Sequence, residues 1–112
     1  MYRKYKASKV HIDGMTFDSK REYQRWLELL DKQAAGEIIN LERQVTYPLI
    51  PKQIGTDGKV WERKVDYVAD FVYTTADGLE VVEDVKGYRT PEYIIKRKLM
   101  LWVHHIRIKE VK

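Results

Sequence analysis

The 112-residue chain has no cysteine, which excludes disulfides and any thiolate metal site. No apolar run is long enough to cross a bilayer, and no secretory apolar core is present. Internal repeats and low-complexity tracts are missing too. His11, His104 and His105 share no metal-ligand spacing with the acidic residues, so a histidine-based metal centre is not expected. These absences leave a small soluble domain, with a cytoplasmic setting as the expectation.

Hydrophobic residues make up 44% of the chain and charged residues 34%, which suits one folded domain with a single core. A net charge of +4 and a pI near 9.2 favour a polyanionic partner such as a nucleic acid. Residues 1–9 (with Tyr2-Arg3-Lys4-Tyr5-Lys6 at their centre) are expected to form a flexible basic arm, and 10–112 a single domain. The arm reads equally as a solubilising tail or as a nucleic-acid contact through Lys4 and Lys6.

Local signals outline an α+β fold, an α/β sandwich in the order α-β-β-β-α-β behind a small N-terminal hairpin. Asp13-Gly14 between Val10-His11-Ile12 and Met15-Thr16-Phe17 is a two-residue hairpin signal. Ser19 opens a helix in which Tyr23, Trp26, Leu27, Leu30 and Ala34 recur at helical spacing, with Gly36 as its stop. A strand through Glu42–Ile50 is interrupted late by Pro48, and a loop through Pro51 and Gly58 returns to a long strand from about Val60. Thr90-Pro91 starts the second helix. His105–Val111 alternates like an edge strand.

The hairpin from Val65 to Val85 carries the chemistry. With Ala76-Asp77-Gly78 as a three-residue loop, Thr75 pairs with Leu79 and Asp70 faces Asp84, with Lys86 diagonal to them. One face then holds Val68, Asp70, Val72, Val82, Asp84 and Lys86, and the other Tyr67, Ala69, Phe71, Val81, Glu83 and Val85. Both faces are largely apolar, so the hairpin is expected at the centre of its sheet. Facing carboxylates ~5 Å apart repel by about 3 kcal/mol at an effective dielectric near 20. Lys86 can neutralise one of them in an ion pair, or a divalent cation can hold both. A third carboxylate would favour the cation. Glu22 is the candidate, although Ser19-x-x-Glu22 also reads as a capping box.

This ordered set, Glu22 on a first helix, Asp70 on a strand, then Asp84-x-Lys86, resembles the PD-(D/E)XK nuclease superfamily, with Ala69 in place of the motif's proline. Gly14–Glu22, Tyr67–Phe71 and Val82–Gly87 resemble more closely a phage and prophage family of small, largely uncharacterised members. Size and element order are also similar to archaeal-type Holliday junction resolvases. The resemblance runs from about Val10 to Lys98 and implies a restriction-endonuclease-like core. It implies Mg²⁺ (or Mn²⁺) bound by Asp70, Asp84, the Val85 carbonyl and Glu22, with Lys86 activating water and stabilising charge on the phosphate. It also brings Lys96 or Lys98 near the site and makes Gln44 a possible support.

The expected activity is therefore a metal-dependent, structure-selective DNA endonuclease, first of all a Holliday junction resolvase, acting as a homodimer on branched DNA in a bacterial host's cytoplasm. Nicking or restriction-like cutting of ordinary duplex is the alternative, followed by a non-catalytic nucleic-acid-binding module. Lys20 and Arg21 beside the first helix, with Lys96 and Lys98 on the second, are the expected DNA contacts within the domain. Trp61 and the tyrosines Tyr67, Tyr73, Tyr88 and Tyr93 are potential base-stacking groups, although half-buried packing suits tyrosines in a small domain as well.

Overall fold

A computed structural model describes residues 8–112. The arm residues Lys4 and Lys6 lie outside the described residues. Strands β1 (Val10–Ile12) and β2 (Met15–Phe17) form the expected hairpin, with Asp13 at φ 52° and Gly14 at φ 77° in its tight turn. Helix α1 (Lys20–Ala34) starts at Ser19, whose hydroxyl accepts from the Glu22 amide, and Gly36 at φ 78° follows its end.

Strands β3 (Ile38–Ile50), β6 (Val65–Thr75), β7 (Glu80–Val85) and β8 (Lys109–Val111) make one sheet in the order β3-β6-β7-β8. Only the β7–β8 pair is parallel. Helix α2 (Pro91–His104) begins at Thr90, which accepts from the Tyr93 amide. Leu29 and Trp26 of α1 pack with Ile38, Phe71 and Tyr73 on one face of the sheet. Tyr93, Leu99 and Met100 of α2 pack with Tyr67, Ala69, Val72 and Val82 on the other. The hairpin β6–β7 is thus central and covered on both sides.

Its register is the expected one. Phe71 pairs with Glu83 and Tyr73 with Val81, while the Thr75 amide donates to the Leu79 carbonyl at 2.8 Å. Gly78 takes φ 89°, which a side chain would resist. Carried one residue further, this register sets Asp70 opposite Asp84.

Three expectations change. The long strand does not begin at Val60: β4 (Gln53–Ile54) and β5 (Val60–Glu62) close a hairpin of their own through bonds between Gly55 and Lys59 and from Gly58 to Gly55, and β6 starts at Val65. The last strand is only Lys109–Val111, because β8 must lie alongside β7 rather than follow its own alternation. The faces of β6 also differ from strict alternation. Tyr67 and Ala69 share the α2 side with Val72 and Val82, while Phe71 and Tyr73 look toward α1. The break falls at Asp70, beside Gln44 of β3, which stands at φ 53° between the pairs Arg43–Phe71 and Val45–Ala69. A left-handed residue in one strand twists the ladder locally, and the partner strand follows.

Candidate active site

The N-terminus of α1 supplies the first acid. Glu22 is 2% exposed. Its Oε1 accepts from the Asp18 amide at 2.6 Å and its Oε2 faces Gln44 Nε2 at 3.5 Å. The capping role and the site role therefore coexist on two oxygens of one carboxylate. The reach back goes to Asp18, one residue before the helix cap, and this leaves Oε2 turned toward the sheet.

The break in β6 supplies the second. Asp70 Oδ2 accepts from the Val85 amide at 2.8 Å, which ties it to β7. Burial raises the Asp70 carboxyl above its ordinary range, and the neighbouring Glu22 carboxyl, to which a protonated Asp70 can donate, raises it further. The Val85 amide and the Lys86 charge oppose that rise without cancelling it.

Asp84 on β7 is the third, and it is 3% exposed. Tyr67 donates to its Oδ2 at 2.6 Å. Lys86 Nζ stands 3.0 Å from Oδ1, but off the line of a hydrogen bond, so Oδ1 is buried without a hydrogen-bond partner. Burial, and then the Asp70 charge, push the Asp84 carboxyl up to about 6. Burial and the Asp84 charge likewise push the Tyr67 phenol well above its usual range, so it remains a proton donor. Lys86 rests on the Tyr93 ring, 4.3 Å from its centroid. Tyr93 in turn donates to Glu110 at 2.7 Å, and Glu110 also binds Arg89 and Arg97.

These groups share one cleft of about 1090 Å³, lined among others by Glu22, Gln44, Tyr67, Asp70, Asp84, Val85 and Lys86. The excess of like charge at its floor invites a proton or a cation, and every candidate ligand is an oxygen. That donor set suits a hard divalent ion. Among the described residues, however, no three His, Cys, Asp or Glu side chains stand gathered at metal-binding spacing. A bound ion would have to draw the carboxylates together.

The remaining expected contacts are divided. Arg21 and Lys96 line the cleft, Arg21 donating to the Lys112 carbonyl and Lys96 pairing with Glu92 at 3.1 Å. Lys20 is exposed beside it, whereas Lys98 belongs to a second cavity of about 480 Å³ with Arg97 and Arg107. Arg25, which the helix pattern groups with Lys20 and Arg21, instead makes a bidentate pair with Glu83 at 2.9 and 2.7 Å. Glu83 is fully buried, also bonded by Tyr73, and turned away from Asp84. Gly87 and Tyr88 line the cleft mouth, while Arg89 is held by Glu110.

Two site residues escape sequence reasoning. Tyr67 is assigned to the wrong face by simple alternation, and only the irregular Gln44 backbone brings its hydroxyl to Asp84. Tyr93 carries a usable signal: it lies three residues after the helix cap Thr90 and thus faces the sheet at the end nearest Lys86.

Residues 2–112 match a family model described as "Protein of unknown function (DUF1064)". No curated protein and no solved structure matches the chain.

Proposed function

We propose that this chain, which belongs to the DUF1064 family of unknown function, is a metal-dependent DNA endonuclease with a restriction-endonuclease-like core. The observation that carries the reading is the convergence of Glu22 from α1, Asp70 from β6 and Asp84, Val85 and Lys86 from β7 on one open cleft. A structural ion pair needs one acid beside Lys86, not three. Burial of acids at a cost, next to a lysine and an orphaned Asp84 oxygen, is how a site for a cation and a phosphate differs from a solvated charge cluster.

Asp70, Asp84, the Val85 carbonyl and Glu22 would hold Mg²⁺ or Mn²⁺. Such an ion supplies polarisation of a phosphoryl oxygen and a lowered pKa for bound water. The chain's own groups do the rest. Tyr67 fixes Asp84 through Oδ2 and leaves Oδ1 directed toward Lys86. Gln44 steadies the second Glu22 oxygen. Lys86, braced on the Tyr93 ring, can turn from Asp84 to a phosphate and stabilise the charge that develops there.

Branched DNA, first a four-way junction, is the substrate favoured by the small size and by the resemblance to junction resolvases. Paired symmetric cuts would require a homodimer with two sites. The test is incubation of end-labelled junction and matched duplex with Mg²⁺, Mn²⁺ or EDTA. Symmetric, metal-dependent nicks confined to the junction are expected, and cutting of both substrates would instead mark a duplex nuclease. Asp84→Asn should abolish cleavage while junction affinity stays equal or improves, since one charge facing the phosphates is gone. Near-normal turnover by that variant would overturn the site.

A further inference from the structure

The β4–β5 hairpin stands apart from both core clusters. Ile54, Val60 and Trp61 are exposed, Trp61 by 61%. In and beside the same segment the sequence places Lys52, Lys59, Arg63 and Lys64 against only Asp57 and Glu62. Lys64 pairs with Asp66, whereas the Lys52, Lys59 and Arg63 side chains make no ion pair or hydrogen bond among the described residues. The hydrogen bonds of the loop 55–59 are all within the hairpin.

The indole is nevertheless seated. A side-chain carbon placed on Gly55 would come within 1.8 Å of Trp61 Cε2 and 2.1 Å of its Nε1. The ring therefore packs into the space that a side chain on residue 55 would take, and only a glycine permits that approach. The rest of the ring looks outward. An aromatic seated against a glycine, largely exposed, on a hairpin that carries unpaired cations is complementary to a planar base joined to phosphates. A solvated apolar patch would have no need of the glycine seat, and a hydrophobic protein contact would not be rimmed by free cations.

Position supports the same partner. Strand β6 starts at Val65, just beyond the hairpin, and its residues Tyr67 and Val68 line the cleft. From Trp61 to Asp70 the chain covers at most about 30 Å at ~3.3 Å per residue. That separation is short enough for one DNA molecule to span both places, since a turn of duplex is about 34 Å. Of the tyrosines, Tyr67, Tyr73 and Tyr93 are buried and offer no such platform, whereas Tyr88 is exposed but sits at the cleft mouth rather than on the hairpin.

We propose that the β4–β5 hairpin is a binding site for an unpaired base of branched DNA, with Trp61 as the stacking platform and Lys52, Lys59 and Arg63 as phosphate contacts. The substrate rests on the endonuclease reading, but binding without metal can be measured separately from cleavage.

The experiment uses the full chain in EDTA and fluorescence anisotropy with a labelled fork bearing unpaired arms and a fully paired duplex of equal length. Trp61→Ala should weaken fork binding about tenfold, since one base–aromatic stack is worth about 1–3 kcal/mol, and leave duplex binding within about twofold. Gly55→Ala keeps the indole but removes its seat and should reproduce the loss, whereas Trp61→Tyr should retain most affinity. Circular dichroism checks that each variant is folded. Unchanged fork affinity in folded Trp61→Ala, equal losses on fork and duplex, or no wild-type binding to either DNA overturns the proposal. So does a Trp61→Ala variant that changes only oligomeric state in sedimentation, which would make the hairpin a contact between copies. Fork binding through Trp61 by a protein that never cuts would sink the nuclease reading and keep this one.

Discussion

Burial and the Asp70 charge hold the Asp84 carboxyl at about 6 in the folded protein, against about 4 for an unfolded aspartate. The folded state therefore binds more protons across that window, and stability must fall as pH rises through it. Two pKa units correspond to about 3 kcal/mol, an upper value for a site that water can enter. Asp70 acts with the same sign. Glu110 acts oppositely: Arg89 above all, with Tyr93 and Arg97, holds it down to about 2, so its contribution is present above the ordinary glutamate range and is lost as pH falls toward 2. Without metal, urea unfolding should thus show a stability maximum at about pH 4–5 and a decline toward pH 7. Asp84→Asn should flatten the decline. A metal-free protein more stable at pH 7.5 than at pH 4.5 would contradict the raised carboxyls.

How far each element could be read from sequence depended on whether its signal was local. Ser19, Gly36, Thr90-Pro91 and Asp13-Gly14 act within a few residues of themselves, and the structure follows them. The Ala76-Asp77-Gly78 loop is equally local, and it fixed the register that sets Asp70 against Asp84. The twist at Gln44 is not local. A glutamine at positive φ has no compositional mark, and it moved Tyr67 onto the Asp84 side of the sheet. Trp61 likewise reads from sequence as part of a long strand, because β-branched and aromatic residues do not reveal where a separate hairpin closes.

The joint between α1 and β7 is another tertiary product, with a stability consequence of its own. Arg25 lies one turn beyond Glu22, and Glu83 directly precedes Asp84, so the bidentate pair fixes the helix of one acid to the strand of another. Burial of Glu83 leaves it nowhere to find water. Arg25→Met strands that charge and should cost about 3–5 kcal/mol in urea unfolding. Adding Glu83→Leu should recover much of the loss, as apolar replacement of a buried pair often does. No recovery in the double variant would show that the pair orders the helix in a way packing cannot replace.

At the scale of the whole molecule, three separate elements bring acids to one cleft without closing a ligand cage. Burial, and then like charge, make the ionised Asp70 and Asp84 costly near neutral pH, so a divalent ion that binds them would also offset that cost. Binding linked to folding raises stability by about 2.7 kcal/mol when the ion is at a hundred times its dissociation constant. For a domain of this length each kcal/mol moves the melting midpoint by about 4–8 °C, so a saturating ion should raise it by roughly 10–20 °C. The rise should be large at pH 8 and small at pH 4.5, where protons already occupy Asp70 and Asp84. Asp70→Asn and Asp84→Asn should each reduce it, and Lys98→Gln, away from the cleft, should not. Mg²⁺ and Mn²⁺ that leave the midpoint unchanged at pH 8 would mean the acids meet without holding a metal, and the nuclease proposal would lose its central reactant.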